Sequence, residues 1–387
     1  MMSTTALLAQ QTLDTLQNTG LSKTLSGEFG ENRSNGKVYI PANNDLEAIK
    51  CWLSRHPIES HTYRSYKREA ERLLMWAIVE KQRPLSSLTM VDLAEYREFL
   101  KNPQPAERWI SSDKHKKRLF AGPLSERSAK LSNTLIGGLF KFLVEQNYLE
   151  HNPHKGLPRL IDSHRGAIDI NRSLTEKEWA FILHRLNKFD DPTKDHRAFC
   201  KQCRVRFIIL FLYLTGLRIH ELAQAKVGDI VKVERKTGRQ IWLNVLGKGN
   251  KWREVPIAPS LMADLDELYV LITGRSCYAD KNHPLIPPLN KRKSDAELTE
   301  AAIHKILKAF FNEVSDELMN TDHELANKLI FASAHWLRHT HGTHAVSQNI
   351  PLPILRDNMG HSNIAVTSQY IHSHKDERHD AFVGFLD

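Results

Sequence analysis

The stretch HWLRHTHGTHA, residues 335–345, and the stretch MGHSNIAVTSQYIH, residues 359–372, hold most of the residues from which function can be read. At 3.6 residues per turn, His335, Arg338 and His339 fall within one helical turn, so His335 shares a face with either partner. A guanidinium keeps its charge at physiological pH and grips a phosphate through parallel hydrogen bonds. His335 and His339 also have the i, i+4 spacing of a metal pair, with His341 and His344 just beyond. The glutamate of an H-E-x-x-H site is missing, however, and the intervening Arg338 disfavours a nearby divalent ion. In the second stretch His361 and Tyr370 are the candidates. A phenol with a pKa of about 10 is a poor nucleophile unless basic groups stabilise its anion. Taken alone, Tyr370 reads as a core or surface residue. It gains meaning beside arginines and histidines that can surround one phosphate.

Two further segments lie upstream, LTGLRIHEL (214–222) and LGKGNKWREVPI (246–257). Arg218 follows a Thr-Gly break at the start of a helix. It is either a phosphate ligand or a surface residue paired with Glu221, which orders the helix start or orients a basic partner. Gly247-Lys-Gly-Asn250 sits between two β-patterned stretches and reads as a hairpin turn. Lys248 at its tip is either simply solvated or reaches into a site to give a proton to a leaving oxygen, with Lys251 as the rival donor. No G-x-x-x-x-G-K-[ST] loop is present. Around these motifs the pattern predicts a capping box at 175–178, an apolar helix at 203–214, and short strands near 230–233, 241–246 and 254–257. A further helix from Thr299 turns Ile303, Ile306, Leu307, Phe310 and Phe311 inward. Cys200-Lys-Gln-Cys203 with His196 resembles half a zinc site, but a second pair is absent and two helix cysteines are the simpler account.

The N-terminal half has a different texture. Residues 1–42 carry no sustained period and read as a flexible tail with one short helix near 7–16. Ser60 then caps a helix through Tyr63, Tyr66, Ala70, Leu73, Leu74 and Ala77, with Arg64, Lys67, Arg68 and Arg72 on the other side. Thr89 to Asp92 opens a second helix with Leu93, Tyr96, Phe99 and Leu100. A third, over 128–146, carries Leu131, Leu135, Leu139, Phe142 and Leu143. The connection 101–130 holds eight Lys/Arg, among them Lys114, Lys116, Lys117 and Arg118, against three acids. With Trp109 and Phe120 it is either a contact for a phosphate backbone or a solvated loop, and charge alone does not separate the two. Pro and Gly punctuation then places a linker. The expected division is a tail 1–42, a helical domain 43–155, a linker 156–172 and a second domain 173–387.

Composition fits this plan. Of 387 residues 41% are hydrophobic and 26% charged, a globular balance, and the formal net charge of +9 points weakly to a polyanionic partner. The longest apolar run, 207–214, is too short to span a bilayer, and the start lacks the pattern of a secretory signal. Four cysteines make no disulfide framework and suit a reducing cytoplasm.

Together the order Arg218, Lys248, His335-x-x-Arg338, His361, Tyr370 is a constellation for phosphodiester transesterification. The chain resembles the tyrosine recombinases, the phage-integrase and Xer-like family of site-specific DNA recombinases, over roughly residues 45–380. The resemblance implies a mainly α fold with a small antiparallel β-sheet: an N-terminal helical core-binding (SAM-like) domain and a C-terminal catalytic domain. It implies that Tyr370 attacks the scissile phosphate and is joined to the 3′ phosphate. Arg218 and Arg338 would clamp the non-bridging oxygens, His335 and His361 would hydrogen-bond that phosphate, and Lys248 would be the general acid. No metal, ATP or other cofactor would be required. Double-stranded DNA would be bound through Arg64, Lys67, Arg68 and the 101–130 loop. The segment after Tyr370 would dock on a neighbouring protomer, in a tetramer holding two sites, with accessory DNA-bending proteins as further partners. The long 101–130 connection favours a mobile-element enzyme acting in integration, excision or resolution. Two rival readings stand beside it: a type IB topoisomerase, which shares the chemistry but only relaxes DNA, and a non-catalytic DNA-binding protein on the same fold.

Overall fold

The computed structural model describes residues 13–19, 21–58, 60–110, 119–158, 172–236, 238–247, 251–289 and 296–373. The chain divides into two compact units, Met1–Ser163 and His164–Asp387. Most of the stretch expected as a linker, 159–171, lies outside the described residues.

Four amphipathic helices frame the first unit: α1 (Asp45–Leu53), α2 (His61–Val79), α3 (Met90–Lys101) and α4 (Glu126–Glu145). Each begins where a short polar side chain meets the unpaired amides of the first turn. Asn44, Ser60 and Ser125 accept from the main-chain N–H groups of Glu47, Tyr63 and Ser128, and Thr89 with Asp92 forms a reciprocal capping box. The apolar stripes meet in one core that includes Leu73 and Leu74 of α2, Leu93 and Leu100 of α3, and Leu139 and Leu143 of α4. Leu131, placed on that stripe by its spacing, is exposed instead. Arg64 and Arg68 are exposed on α2, whereas Lys67 is half-buried and donates to Asp14 at 2.6 Å.

Two expectations about this unit need correction. From Leu13 onward the leader is packed, not a flexible tail. Leu13 and Leu16 are buried in the core of the helices. Arg33 donates to the Gly27 carbonyl and to the Tyr148 hydroxyl, and that hydroxyl in turn donates to the buried carboxylate of Asp45. Scattered apolar anchors and polar bonds hold this segment without an apolar period, so composition misread it. The aromatics of the 101–130 connection, read as part of either a phosphate-backbone contact or a solvated loop, belong instead to the core. Trp109 and Phe120 are both fully buried, with rings 5.1 and 5.7 Å from Phe99, and the Trp109 indole donates to Glu80 at 2.7 Å. They pin both ends of the loop into the core, because burying an aromatic ring outweighs leaving it on a wet surface. Lys114, Lys116, Lys117 and Arg118 lie outside the described residues.

The second unit opens with α5 (Glu176–Leu186), whose capping box joins Thr175 and Glu178, then α6 (His196–Thr215) and α7 (Ile219–Gln224). An antiparallel sheet follows, β1 (Ile230–Arg235), β2 (Gly238–Gly247) and β3 (Lys251–Pro256), in the order β1-β2-β3 with Leu243 facing Val255 across the β2 and β3 pair. After it come α8 (Pro259–Thr273), α9 (Glu300–Leu318), α10 (His323–Leu329), α11 (Ala334–Ser347), α12 (Leu352–Met359) and the short α13 (Ile364–Thr367). Asp195 caps α6, which therefore begins before the apolar run and carries both Cys200 and Cys203. Among the described residues no three His, Cys, Asp or Glu side chains are grouped as a metal site. His344 of α11 bonds the Tyr213 hydroxyl of α6 and the Leu174 carbonyl, each at 2.9 Å, which ties α11 to the start of the unit.

The packed leader makes a prediction. Leu16→Ala should lower the stability of the first unit by about 2–5 kcal/mol, as for a buried leucine. Urea unfolding of the full chain followed by tryptophan fluorescence measures it, and a change below about 0.5 kcal/mol would fit a solvated tail instead.

Candidate active site

Gly216 ends α6 in the left-handed conformation (φ 65°), and a Cβ there would lie 2.6 Å from the His341 ring. The turn delivers Arg218 to the first position before α7. Its main-chain N–H donates to Glu221 at 2.8 Å and its guanidinium to the same carboxylate at 3.2 Å. Glu221 itself is buried and receives a parallel pair of bonds from Arg253 of β3, both 2.8 Å long. Burial alone would raise the Glu221 pKa, but the bonds from Arg253 and from the Arg218 N–H, with the two cationic charges, hold it at about 2.

The end of α12 completes the cluster. Its last carbonyls have no helical partner, and the helix dipole makes them negative. Three consecutive oxygens meet three arginines. Asn358 O accepts from Arg253 Nε at 2.9 Å, Met359 O accepts from Arg338, and Gly360 O accepts from Arg218 at 3.4 Å. Arg338, on the first turns of α11, also donates to Gly216 O and is almost wholly buried. Burial and then the charge of Arg218 pull its pKa down to about 10, which leaves it protonated at neutral pH.

Beyond Gly360 the chain carries His361 and reaches Tyr370. The His361 Nδ1 lies 2.8 Å from the Thr367 hydroxyl. Burial, then Arg338 and Arg218, depress the His361 pKa to about 3, and burial with His335 and Arg338 puts His339 at about 4. Both imidazoles are neutral at pH 7. The Tyr370 ring is 4% exposed, lies 5.8 Å from His339 and 6.3 Å from His361, and rests on Gly342. Burial raises its pKa while Arg338 and Arg218 pull it back, and the net shift is upward.

Arg218, Glu221, Arg338, His361 and Tyr370 are thus brought together from three parts of the sequence. His335 is exposed at the start of α11 and meets the group through His339, ring to ring at 4.2 Å. Lys251 is exposed on the first residue of β3 opposite Gly247, and Lys248 lies outside the described residues. Sequence reasoning passed over Arg253. The signal was its position two residues before the buried Val255, which puts both on one face of β3.

Arginines gathered near a buried tyrosine, on a mainly helical unit with one three-stranded antiparallel sheet, suit chemistry at a phosphate group. Comparison with known proteins gives the family. The phage integrase family profile matches residues 172–377. The tyrosine recombinase XerC of Halalkalibacterium halodurans is 29% identical over 259 residues, 66% of this chain and 73% of that protein. XerC of Haemophilus ducreyi is 24% identical over 316 residues, 81% and 90% of the two chains. Among solved structures, XerH bound to a palindromic difH substrate matches with a TM-score of 0.58 at 17% identity, covering 99% of this chain and 96% of that one. The Tn1549 transposon integrase in complex with a circular intermediate DNA gives 0.54 at 16% identity, covering 84% and 93%. The chain belongs to the phage integrase family of tyrosine recombinases, and its function is site-specific DNA recombination by strand cleavage and rejoining. Neither relaxation alone nor a non-catalytic role is favoured.

A Cβ on Gly342 would stand 2.7 Å from the Tyr370 ring. Gly342→Ala should therefore displace Tyr370 and slow strand cleavage by about 100-fold, the cost of roughly 1 Å of misplacement. Helix propensity favours alanine by about 1 kcal/mol, so the melting temperature should hold. Cleavage within threefold of wild type would show that Tyr370 does not react from this seat.

Proposed function

We propose that the chain recombines DNA through a 3′-phosphotyrosine intermediate formed on Tyr370. The observation that carries this reading is the buried phenol facing two arginines, with neutral histidines beside it. The Tyr370 Oη–P bond forms as the P–O5′ bond breaks. The phenol proton passes to a neutral imidazole, and Lys248, with Lys251 as alternative, protonates the departing 5′ oxygen. Arg218 and Arg338 hold the non-bridging oxygens and stabilise the charge that builds on them in the transition state. His335 and His361 hydrogen-bond the same phosphate. A free 5′ hydroxyl from the partner duplex then reverses the steps, so phosphodiester energy is conserved and neither ATP nor a metal enters.

The rest of the proposal follows the family plan. The two units are a core-binding domain and a catalytic domain on one duplex, with Arg64, Lys67, Arg68, Lys114, Lys116, Lys117 and Arg118 on the phosphate backbone. The structural neighbours XerH, bound to a palindromic difH substrate, the lambda integrase dimer, bound to a COC' core site, and the Tn1549 integrase, in complex with a circular intermediate DNA, support a DNA site as partner. A tetramer joins two such sites in the cytoplasm, with accessory DNA-bending proteins, to integrate, excise or resolve a mobile element.

A nicked suicide substrate bearing the recombination site, incubated in EDTA, should yield a covalent protein–DNA adduct that Tyr370→Phe abolishes. Adducts in that variant would overturn the nucleophile, and a requirement for divalent metal would overturn the mechanism. A 5′-bridging phosphorothioate should restore cleavage by Lys248→Ala, because sulfur leaves without a proton. Restoration of Lys251→Ala instead would move the general acid there.

A further inference from the structure

Arg253 is the cation of the cluster that has no place in the steps above. All three of its guanidinium nitrogens are engaged: Nη1 and Nη2 on the two oxygens of Glu221, and Nε on the Asn358 carbonyl. Its side chain is 12% exposed, which leaves little of it for a DNA phosphate. The surrounding backbone is shaped to let it through. Gly360 has φ 64°, and a Cβ there would press on Arg253 at 3.0–3.1 Å; one on Gly247 would stand 3.2 Å from Nη1.

Glu221 has a single negative charge and two arginines beside it. Arg253 makes the short parallel pair, whereas the Arg218 guanidinium makes one longer contact of 3.2 Å and stays 30% exposed. We infer that Arg253 is a positioning residue: it neutralises Glu221 so that the charge of Arg218 is left for the scissile phosphate, and it fixes the Asn358–Gly360 turn beside that charge. The inference rests on Arg218 acting as a phosphate ligand. Without Arg253 the buried carboxylate turns to the nearest remaining cation. Arg218 is then drawn onto Glu221 and its charge is cancelled where the phosphate needs it.

The charged groups facing Glu221 are Arg218 at the start of its own helix, Arg253 from β3 and Arg338 from α11. Removing Arg253 takes away the largest influence that opposes burial, so the Glu221 proton affinity rises in that variant. Protonation at mild acid then releases Arg218.

The test is single-turnover adduct formation by the full chain on the nicked suicide substrate at saturating DNA, from pH 5 to 8, with a melting curve for each variant. Arg253→Ala should slow adduct formation by about 100-fold, comparable to loss of one oxyanion donor, with DNA affinity changed less than about threefold. The double variant Glu221→Gln/Arg253→Ala should regain at least about tenfold, because the carboxylate charge that captures Arg218 is gone. The rate of Arg253→Ala relative to wild type should climb as pH falls. An Arg253→Ala rate within threefold of wild type, no gain from Glu221→Gln, or a flat pH ratio each overturns the inference. Should Arg253→Ala fail to fold, the double variant and Arg253→Lys decide: both should stay within about tenfold of wild type, and a collapse of the double variant's rate in a folded protein overturns the role. If wild type forms no adduct through Tyr370, the phosphotyrosine reading itself falls, and the role of Arg253 with it.

Discussion

Burial first, and then the neighbouring charges of Arg218 and Arg253, lower the proton affinity of Arg338, and the second unit must hold these three cations close together. It does so with oxygen. One buried carboxylate, Glu221, takes two of the arginines, and the three carbonyls that end α12 take one each. Charge-assisted bonds of this kind are strong only where water is kept away, and Glu221 and Arg338 are both buried. The arrangement leaves a net positive site whose donors are already aimed, the condition under which electrostatic stabilisation of a transition state costs no reorganisation.

The fold follows from that requirement. Gly216 and Gly360 adopt left-handed turns where α6 and α12 stop, and each turn presents carbonyls to an arginine. The first delivers Arg218 and the second leads to His361 and on to Tyr370. The hairpin reaches the same place through Arg253. Helix α11, tied at its far end to Tyr213 and Leu174 by His344, contributes Arg338 and the Gly342 seat of the tyrosine ring. Elements distant in sequence are thereby fastened to one turn at residues 358–360.

Much of this was legible in the sequence, for physical reasons that can be named. Helix starts could be read because Ser60, Thr89 and Thr175 are capping residues ahead of amphipathic periods. Arg218, Arg338, His361 and Tyr370 stood out only as an ordered set with Lys248 and His335, since each alone reads as an ordinary core or surface residue. Arg253 did not, since a charged residue beside an exposed tryptophan in a short strand looks like surface. Trp109 and Phe120 were misjudged because the basic charge around them drew attention from the larger free energy of burying aromatic area. The leader was misjudged because its order comes from isolated apolar anchors such as Leu16 and from individual polar bonds, such as Arg33 to Gly27 and Tyr148, which leave no period in the sequence.

If the arginine cluster binds the charge of the non-bridging phosphate oxygens, a scissile methylphosphonate, which replaces one charged oxygen with a neutral methyl group, removes the need for it. On the native phosphate Arg218→Ala should cleave about 100- to 1000-fold more slowly than wild type. On the methylphosphonate that deficit should shrink to about tenfold or less. A deficit of the same size on both substrates would rule that role out and place Arg218 in the folding of the site instead of in its chemistry.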